Sequence, residues 1–225
     1  MSAQDLSVRE ASDGRPGALL ADRAYVAIRD RILTLQLAPG APIDEDALIR
    51  ELGVGRTPIR EAIKRLALED LVTIYPRRGT FVSEINITDL AQISDLRIQL
   101  EGHAAYRAAQ RVTAADKEEA DALIAALDEV AKSREREAFM QVDARIHRFV
   151  YRCSRNSYLA GTSERYLNLS LRIWHVVLDR LPHLDESVLE HRELLQAVRD
   201  ADPERARKLA ADHVATFERE IRGVL

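Results

Sequence analysis

Residues 45–82 read EDALIRELGVGRTPIREAIKRLALEDLVTIYPRRGTFV, and the punctuation of this stretch decides the N-terminal fold. Asp44 to Leu52 predicts a short helix, and Gly53-Val54-Gly55 turns the chain. Thr57, placed as an N-cap, and Pro58 in the first helical position start another helix, whose apolar side is Ile59, Ile63 and Leu66. Arg60 and Lys64 project elsewhere, toward solvent or a polyanion. The β-prone Leu71–Tyr75, the turn Pro76-Arg77-Arg78-Gly79 and the resumed Thr80–Val82 predict a hairpin.

Working outward toward the N-terminus, Tyr25, Ile28, Ile32 and Leu35 recur every three to four residues and predict a first helix that Pro39-Gly40 ends. Three helices and a hairpin make a winged helix-turn-helix, in which the third helix can enter the major groove and the wing meets the neighbouring backbone. Residues 1–18 carry Ser, Asp, Gly and Pro without a period and read as a flexible arm. The winged unit is assigned to residues 19–82, and 83–87 to a linker.

From Thr88 the period is helical. Six helices are expected at Thr88–Gln110, Thr113–Ser133, Glu135–Cys153, Tyr158–Arg180, Asp185–Arg199 and Pro203–Arg219, with breaks at Pro182 and at Asp200-Ala201-Asp202-Pro203. The fold class is therefore mainly α, an N-terminal winged helix-turn-helix followed by an antiparallel six-helix bundle over 88–225.

Composition narrows the function classes. The 225 residues are 46% hydrophobic and 31% charged, which excludes collagen-like and disordered chains. The single Cys153 forms neither an intrachain disulfide nor a paired-cysteine zinc module and fits a reducing compartment. No long apolar stretch spans a membrane, and acidic and basic residues fill the first 18 positions, so a cytoplasmic chain without a membrane partner is expected. The net charge of -4 hides a local basic group, Arg56, Arg60, Lys64, Arg65, Arg77 and Arg78, from which Asp44, Glu45, Asp46 and Glu51 stand apart in sequence. Such a footprint can meet phosphate, although it is also the pattern of a solvated charged face.

A second constellation lies in the helical region. Asp143 and His147 are four apart, on one face of a helix. His191 and His213 are equidistant from Asp202, in the predicted turn, and fall at similar heights when their helices fold antiparallel. If those helices face one another, one carboxylate and three imidazoles converge, a mixed set compatible with zinc, nickel, manganese or iron. Three independent core histidines and an Asp–His surface pair are the plainer alternative. His103, His175 and His183 lack this paired geometry. Arg97 either pairs with Glu101 or grips an organic carboxylate through its two-pronged guanidinium. Cys153 reads as a core residue, and no HExxH, nucleophile elbow, phosphate-cradling loop or dinucleotide fingerprint is present. A small metal-dependent hydrolase and a DNA-binding protein with a purely structural metal are the competing functions.

The stretch from Glu45 to Val82 resembles the winged-helix domain of the GntR family of bacterial transcriptional regulators, most specifically in GRTPIREAIKRL followed by RRGTFV. The remainder resembles the FCD ligand-sensing domain of its FadR subfamily. DARIH (143–147) and EHRELLQAVRDADPERARKLAADH (190–213) are similar to the metal-containing version. The resemblance implies a homodimeric regulator, a repressor, that binds a palindromic operator, associates with the nucleoid when on DNA, and responds to a small carboxylate metabolite. It implies DNA-binding roles for Arg56, Thr57, Arg60, Arg77, Arg78 and Gly79. It further implies one divalent metal ion per chain, zinc or nickel favoured, on Asp143, His147, His191 and His213, with Arg97 at the effector and no catalytic residue. Two departures stand out. Gly55 replaces the serine or threonine common before that arginine, and Asp46 stands where several relatives carry a basic residue.

Overall fold

Asp44 opens helix α2 (Glu45–Leu52) by accepting the Ala47 amide at 2.9 Å, and Gly53 closes it at φ +63°, its N–H donating to Ile49 O. These caps satisfy backbone groups that a helix of eight residues leaves open at each end. The computed structural model describes residues 16–180 and 185–224. Helix α1 is Pro16–Leu33 and α3 is Arg56–Leu68; they pack together, burying Ala21, Ala24, Tyr25, Ile28 and Ile32 of one and Ile59, Ala62, Ile63 and Leu66 of the other.

Several local expectations need correction. Residues 16–18, placed in the arm, are the first turn of α1; residues 1–15 of that arm lie outside the described part. Helix α1 ends at Leu33 rather than at Pro39-Gly40, because Leu35 takes φ +58° and the Leu37 N–H folds back onto Arg31 O. The cap of α3 is Gly55, with no side-chain bond, so Thr57 lies inside the helix and Pro58 is its third residue. Proline is tolerated there because the first amides of a helix have no intrahelical acceptor.

Strands β1 (Val72–Tyr75) and β2 (Gly79–Val82) pair antiparallel from Val72 opposite Val82 to Tyr75 opposite Gly79. The tip turns through Arg77 at φ +63° and Gly79 at φ +114°. Gly79 holds a conformation that side chains disfavour. Unanticipated from sequence, Ala41–Ile43 lines the outer edge of β2, with Ile43 N donating to Thr80 O and Val82 N to Ala41 O, both at 2.9 Å. Contacts within the chain divide it after Ile85 into two units.

The second unit comprises α4 (Leu90–Arg111), preceded by a 3-10 turn at Ile87–Asp89, then α5 (Ala114–Ser133) and α6 (Arg136–Cys153). It continues with α7 (Ser157–Val177), extended by a 3-10 turn at Leu178–Arg180, and with α8 (Asp185–Arg199) and α9 (Pro203–Val224). These are the six expected helices. The break expected at Pro182 lies outside the described residues. Helix α4 packs against α6, α7, α8 and α9. Its pairing with α9 is close at Gly102, where an added Cβ would lie 3.3 Å from Arg207 O and 3.7 Å from the Ala211 Cβ. Between α8 and α9 the chain reverses at Ala201, φ +58°, and Asp202 receives the Arg205 amide. That turn brings the two histidine-bearing helices side by side.

Candidate metal centre and nucleic-acid interface

Helix α6 carries Asp143 and His147 one turn apart, α8 carries His191, and α9 carries His213. All four are buried, and one potential ligand atom from each lies within 4.8 Å of those of the other three. The ring centroids of His191 and His213 are 4.2 Å apart, with His147 5.5 and 5.4 Å from them. The convergence predicted from spacing is present, and the plainer alternative of independent core histidines is not what the fold builds.

The surroundings fix how each imidazole presents itself. His147 Nδ1 lies 2.5 Å from Glu101 Oε2, His191 Nδ1 lies 2.7 Å from Ser187 O, and His213 Nδ1 lies 2.7 Å from Glu190 Oε2. Each Nδ1–H thus has an outer acceptor, which selects the tautomer that leaves Nε2 unprotonated. His191 Nε2 is 2.9 Å and His147 Nε2 3.8 Å from Asp143 Oδ1. Yet neither Asp143 Oδ1 nor His191 Nε2 has a partner aligned for a hydrogen bond. Buried polar atoms are rarely left so, and a cation at their centre would satisfy both.

Charge supports the same fit. Burial opposes ionisation of Asp143, but the adjacent His191 and His147 outweigh it and hold the carboxyl down to about 2. Burial likewise works against the Glu101 carboxylate, which Arg97 and His147 nevertheless hold well below the usual range. Burial, reinforced by His191 and His147, pushes His213 down to about 4. His191 is raised, because Asp143 overcomes its burial. Asp143, Glu101 and Glu190 set three carboxylates around the buried guanidinium of Arg97, an excess of negative charge that a divalent cation would offset. The N3O donor set of Asp143, His147, His191 and His213 is able to chelate a divalent metal ion.

Arg97 is buried on α4 and gives both Nε (2.6 Å) and Nη2 (2.5 Å) to Glu101 Oε1. The expected Glu101 pairing is therefore present, and the same residue lines a small cavity with Asp143, His147 and His213. Sequence reading missed the outer acceptors Ser187 and Glu190, and missed Ser170 and Trp174 of α7, which also wall the cavity. Glu190, beside His191, was the one with a local signal. His103 is exposed and His175 gives its Nδ1 to Leu171 O at 2.9 Å, both outside the cluster; His183 is not among the described residues.

On the winged unit, Arg56, Thr57, Arg60 and Lys64 form one exposed face of α3, and Arg77, Arg78 and Gly79 are exposed at the hairpin tip. The acidic residues do not stand apart, as their sequence positions suggested. Arg56 pairs with Asp46 at 2.6 Å and Arg60 with Glu45 at 3.0 Å, across the helix-turn-helix. Arg65 leans the other way, over the Tyr25 ring at 4.2 Å and onto Asp22 at 2.5 Å, so it braces α1 against α3.

Fold and site together define a winged-helix DNA-binding protein whose helical domain can chelate a metal ion. Residues 92–216 match the FCD domain and residues 20–82 match the bacterial regulatory proteins of the gntR family. The chain is 31% identical over 202 residues to an uncharacterized HTH-type transcriptional regulator in an unstable DNA locus of Streptomyces ambofaciens, covering 86% of this chain and 82% of the relative. It is 30% identical over 182 residues to the probable D-xylose utilization operon transcriptional repressor of Paenarthrobacter nicotinovorans, covering 81% and 80%. Escherichia coli McbR/YncC shares the fold, with a TM-score of 0.80 at 22% identity over 91% of this chain and 97% of that one. The protein belongs to the GntR family of DNA-binding transcriptional regulators and carries an FCD domain. That membership, in a family of regulators and not of enzymes, answers the hydrolase alternative. Among the described residues no helix is long and apolar enough to cross a membrane.

Proposed function

We propose that the chain is a metabolite-responsive repressor of the FadR subfamily type, which senses a small organic acid in its metal-containing helical domain. The observation that carries this reading is that one cavity is walled by a buried guanidinium, Arg97, and by three residues of the chelating cluster, Asp143, His147 and His213. A guanidinium binds a carboxylate through parallel hydrogen bonds, and a metal with five or six ligands has positions beyond four protein donors for anionic oxygen. When bound, the ion supplies Lewis acidity that draws such an oxygen to the cluster; zinc or nickel suits the donor set.

On the winged unit, Arg56, Thr57 and Arg60 on α3 address the major groove, and Arg77, Arg78 and Gly79 at the wing tip address the backbone or minor groove. Two copies of the chain in a homodimer would read the half-sites of a palindromic operator. The repressor role is supported by the similarity to the Paenarthrobacter relative, a probable transcriptional repressor of a D-xylose utilization operon. Acid binding in the FCD domain shifts DNA affinity through its different fit to the DNA-competent and DNA-incompetent states. A cytoplasmic protein, on the nucleoid when bound, follows.

The test begins with selection of DNA fragments retained by the purified protein, followed by anisotropy titration of the recovered operator with and without short acids. A palindromic site whose affinity at least one acid changes, with the change lost in Arg97→Ala, is the expected outcome. Acids that bind the helical domain but never alter operator affinity would overturn the sensing role and leave the metal as a structural brace.

A further inference from the structure

Ser170 and Trp174 stand one turn apart on α7, and both line the cavity. They are 1% and 4% exposed, yet among the described residues Ser170 Oγ and Trp174 Nε1 have no hydrogen-bond partner. An indole N–H can only donate, and leaving it buried without an acceptor costs about 1–3 kcal/mol. Its direction is set by packing. Phe139 meets the indole edge-on at 5.8 Å and Phe217 at 5.1 Å, and Phe217 in turn lies 5.8 Å from the Arg97 guanidinium carbon. The cavity is thus lined on one side by the Arg97 guanidinium and the cluster, and on α7 by two residues whose polar atoms are without partners among the described residues.

Resting on the carboxylate-sensing reading above, we propose that Trp174 and Ser170 form a second polar subsite that selects hydroxy or oxo acids over simple fatty acids. The carboxylate goes to Arg97 and the metal, and an oxygen elsewhere on the ligand accepts from Trp174 Nε1. A hydroxyl there also donates to Ser170 Oγ, and a carbonyl accepts from it. An acid lacking that oxygen leaves both α7 groups unpaired, so it is discriminated against far more strongly than by the loss of one contact in water. Trp174 and Ser170 are thus specificity-determining residues, and neither is asked to hold the metal.

The experiment uses the full chain loaded with zinc and three pairs of probes: glycolate against acetate, lactate against propionate, and 3-hydroxybutyrate against butyrate. Calorimetry gives the Kd of each. Trp174 is the only tryptophan, so wild-type emission reports independently on whether the bound acid meets its indole. The expected result is that at least one hydroxy acid binds about tenfold or more tighter than its partner and shifts the emission, whereas the partner does not. Trp174→Phe keeps the ring packing, and Ser170→Ala removes one hydroxyl; each should shrink the ratio several-fold while leaving the simple acid's Kd within about twofold. An unchanged ratio in both variants, or equal weakening of both members, would overturn the subsite and leave the carboxylate reading standing. Failure of every acid to bind wild type would remove that reading and the subsite with it.

Discussion

Glu101 divides its carboxylate between two buried partners: Oε2 lies 2.5 Å from His147 Nδ1, and Oε1 receives the Arg97 guanidinium at 2.5–2.6 Å. One side chain therefore orients a metal-facing imidazole and neutralises the residue proposed to meet the effector. Glu101→Gln keeps the size and one acceptor but removes the charge that both partners need. The expected result is a roughly 10- to 100-fold loss of metal affinity, the usual cost of losing an outer-shell partner, in competition with a chromophoric chelator. Zinc affinity within about twofold of wild type would show that the contact is only packing.

Metal removal should destabilise the helical domain, because the site is assembled from three helices that a metal would tie together. At a free zinc concentration one hundred times Kd the linkage is worth about 2.7 kcal/mol, or a melting shift of roughly 5–10 °C for a chain of this size. Thermal unfolding before and after chelator treatment, then after zinc is restored, measures it. Asp143→Asn should abolish the zinc-dependent part of the shift, and a variant that retains it would remove Asp143 from the ligand set.

Cys153 is inert for a physical reason. It is fully buried, and burial, helped by the neighbouring Asp116 carboxylate, pushes its thiol up to about 12. A thiol raised in the folded state contributes stability that is complete below its ordinary value, near 9, and is lost as pH climbs through 12. At pH 8 the folded thiolate fraction is smaller than the unfolded one by roughly a thousandfold. Iodoacetamide at pH 8 should leave the native protein unlabelled and modify it once in denaturant, as mass spectrometry would show. Rapid native labelling would mean that the end of α6 opens.

Helix periods, caps and turns were legible because they are local: Asp44 and Gly53 bracket α2, and Asp202 marks the reversal before α9. That reversal also made His191 and His213 legible, since their equal separation from Asp202 becomes equal height in an antiparallel pair. Two of the acceptors behind the imidazoles were not, because Ser187 contributes a backbone carbonyl to His191 and Glu101 reaches His147 from a helix distant in sequence. Nothing in the sequence singles out Trp174 and Ser170; only the packed structure reveals that their polar atoms lack partners among the described residues. Thr57 misled for a different reason, since a capping residue type before proline looks like a start, whereas α3 is capped two residues earlier, on Gly55.

The pairing of acids with the α3 arginines carries the most direct consequence for DNA affinity. Asp46 lies 2.6 Å from Arg56, and both are exposed, so the bond adds little to stability and can exchange for a phosphate. With α3 in the groove as proposed, the carboxylate would remain beside it and repel the DNA. Removing one such charge within about 4 Å of a phosphate is worth about 1 kcal/mol in water, roughly a fivefold gain in affinity. Asp46→Asn should therefore tighten operator binding several-fold at 50 mM salt, and the gain should shrink by 200 mM as screening takes over. Glu45→Gln should act in the same direction through Arg60, while Arg56→Ala and Arg60→Ala weaken binding. Anisotropy titrations across that salt range decide the matter. Weaker binding by Asp46→Asn would mean that the carboxylate aims Arg56 at its target instead of competing for it.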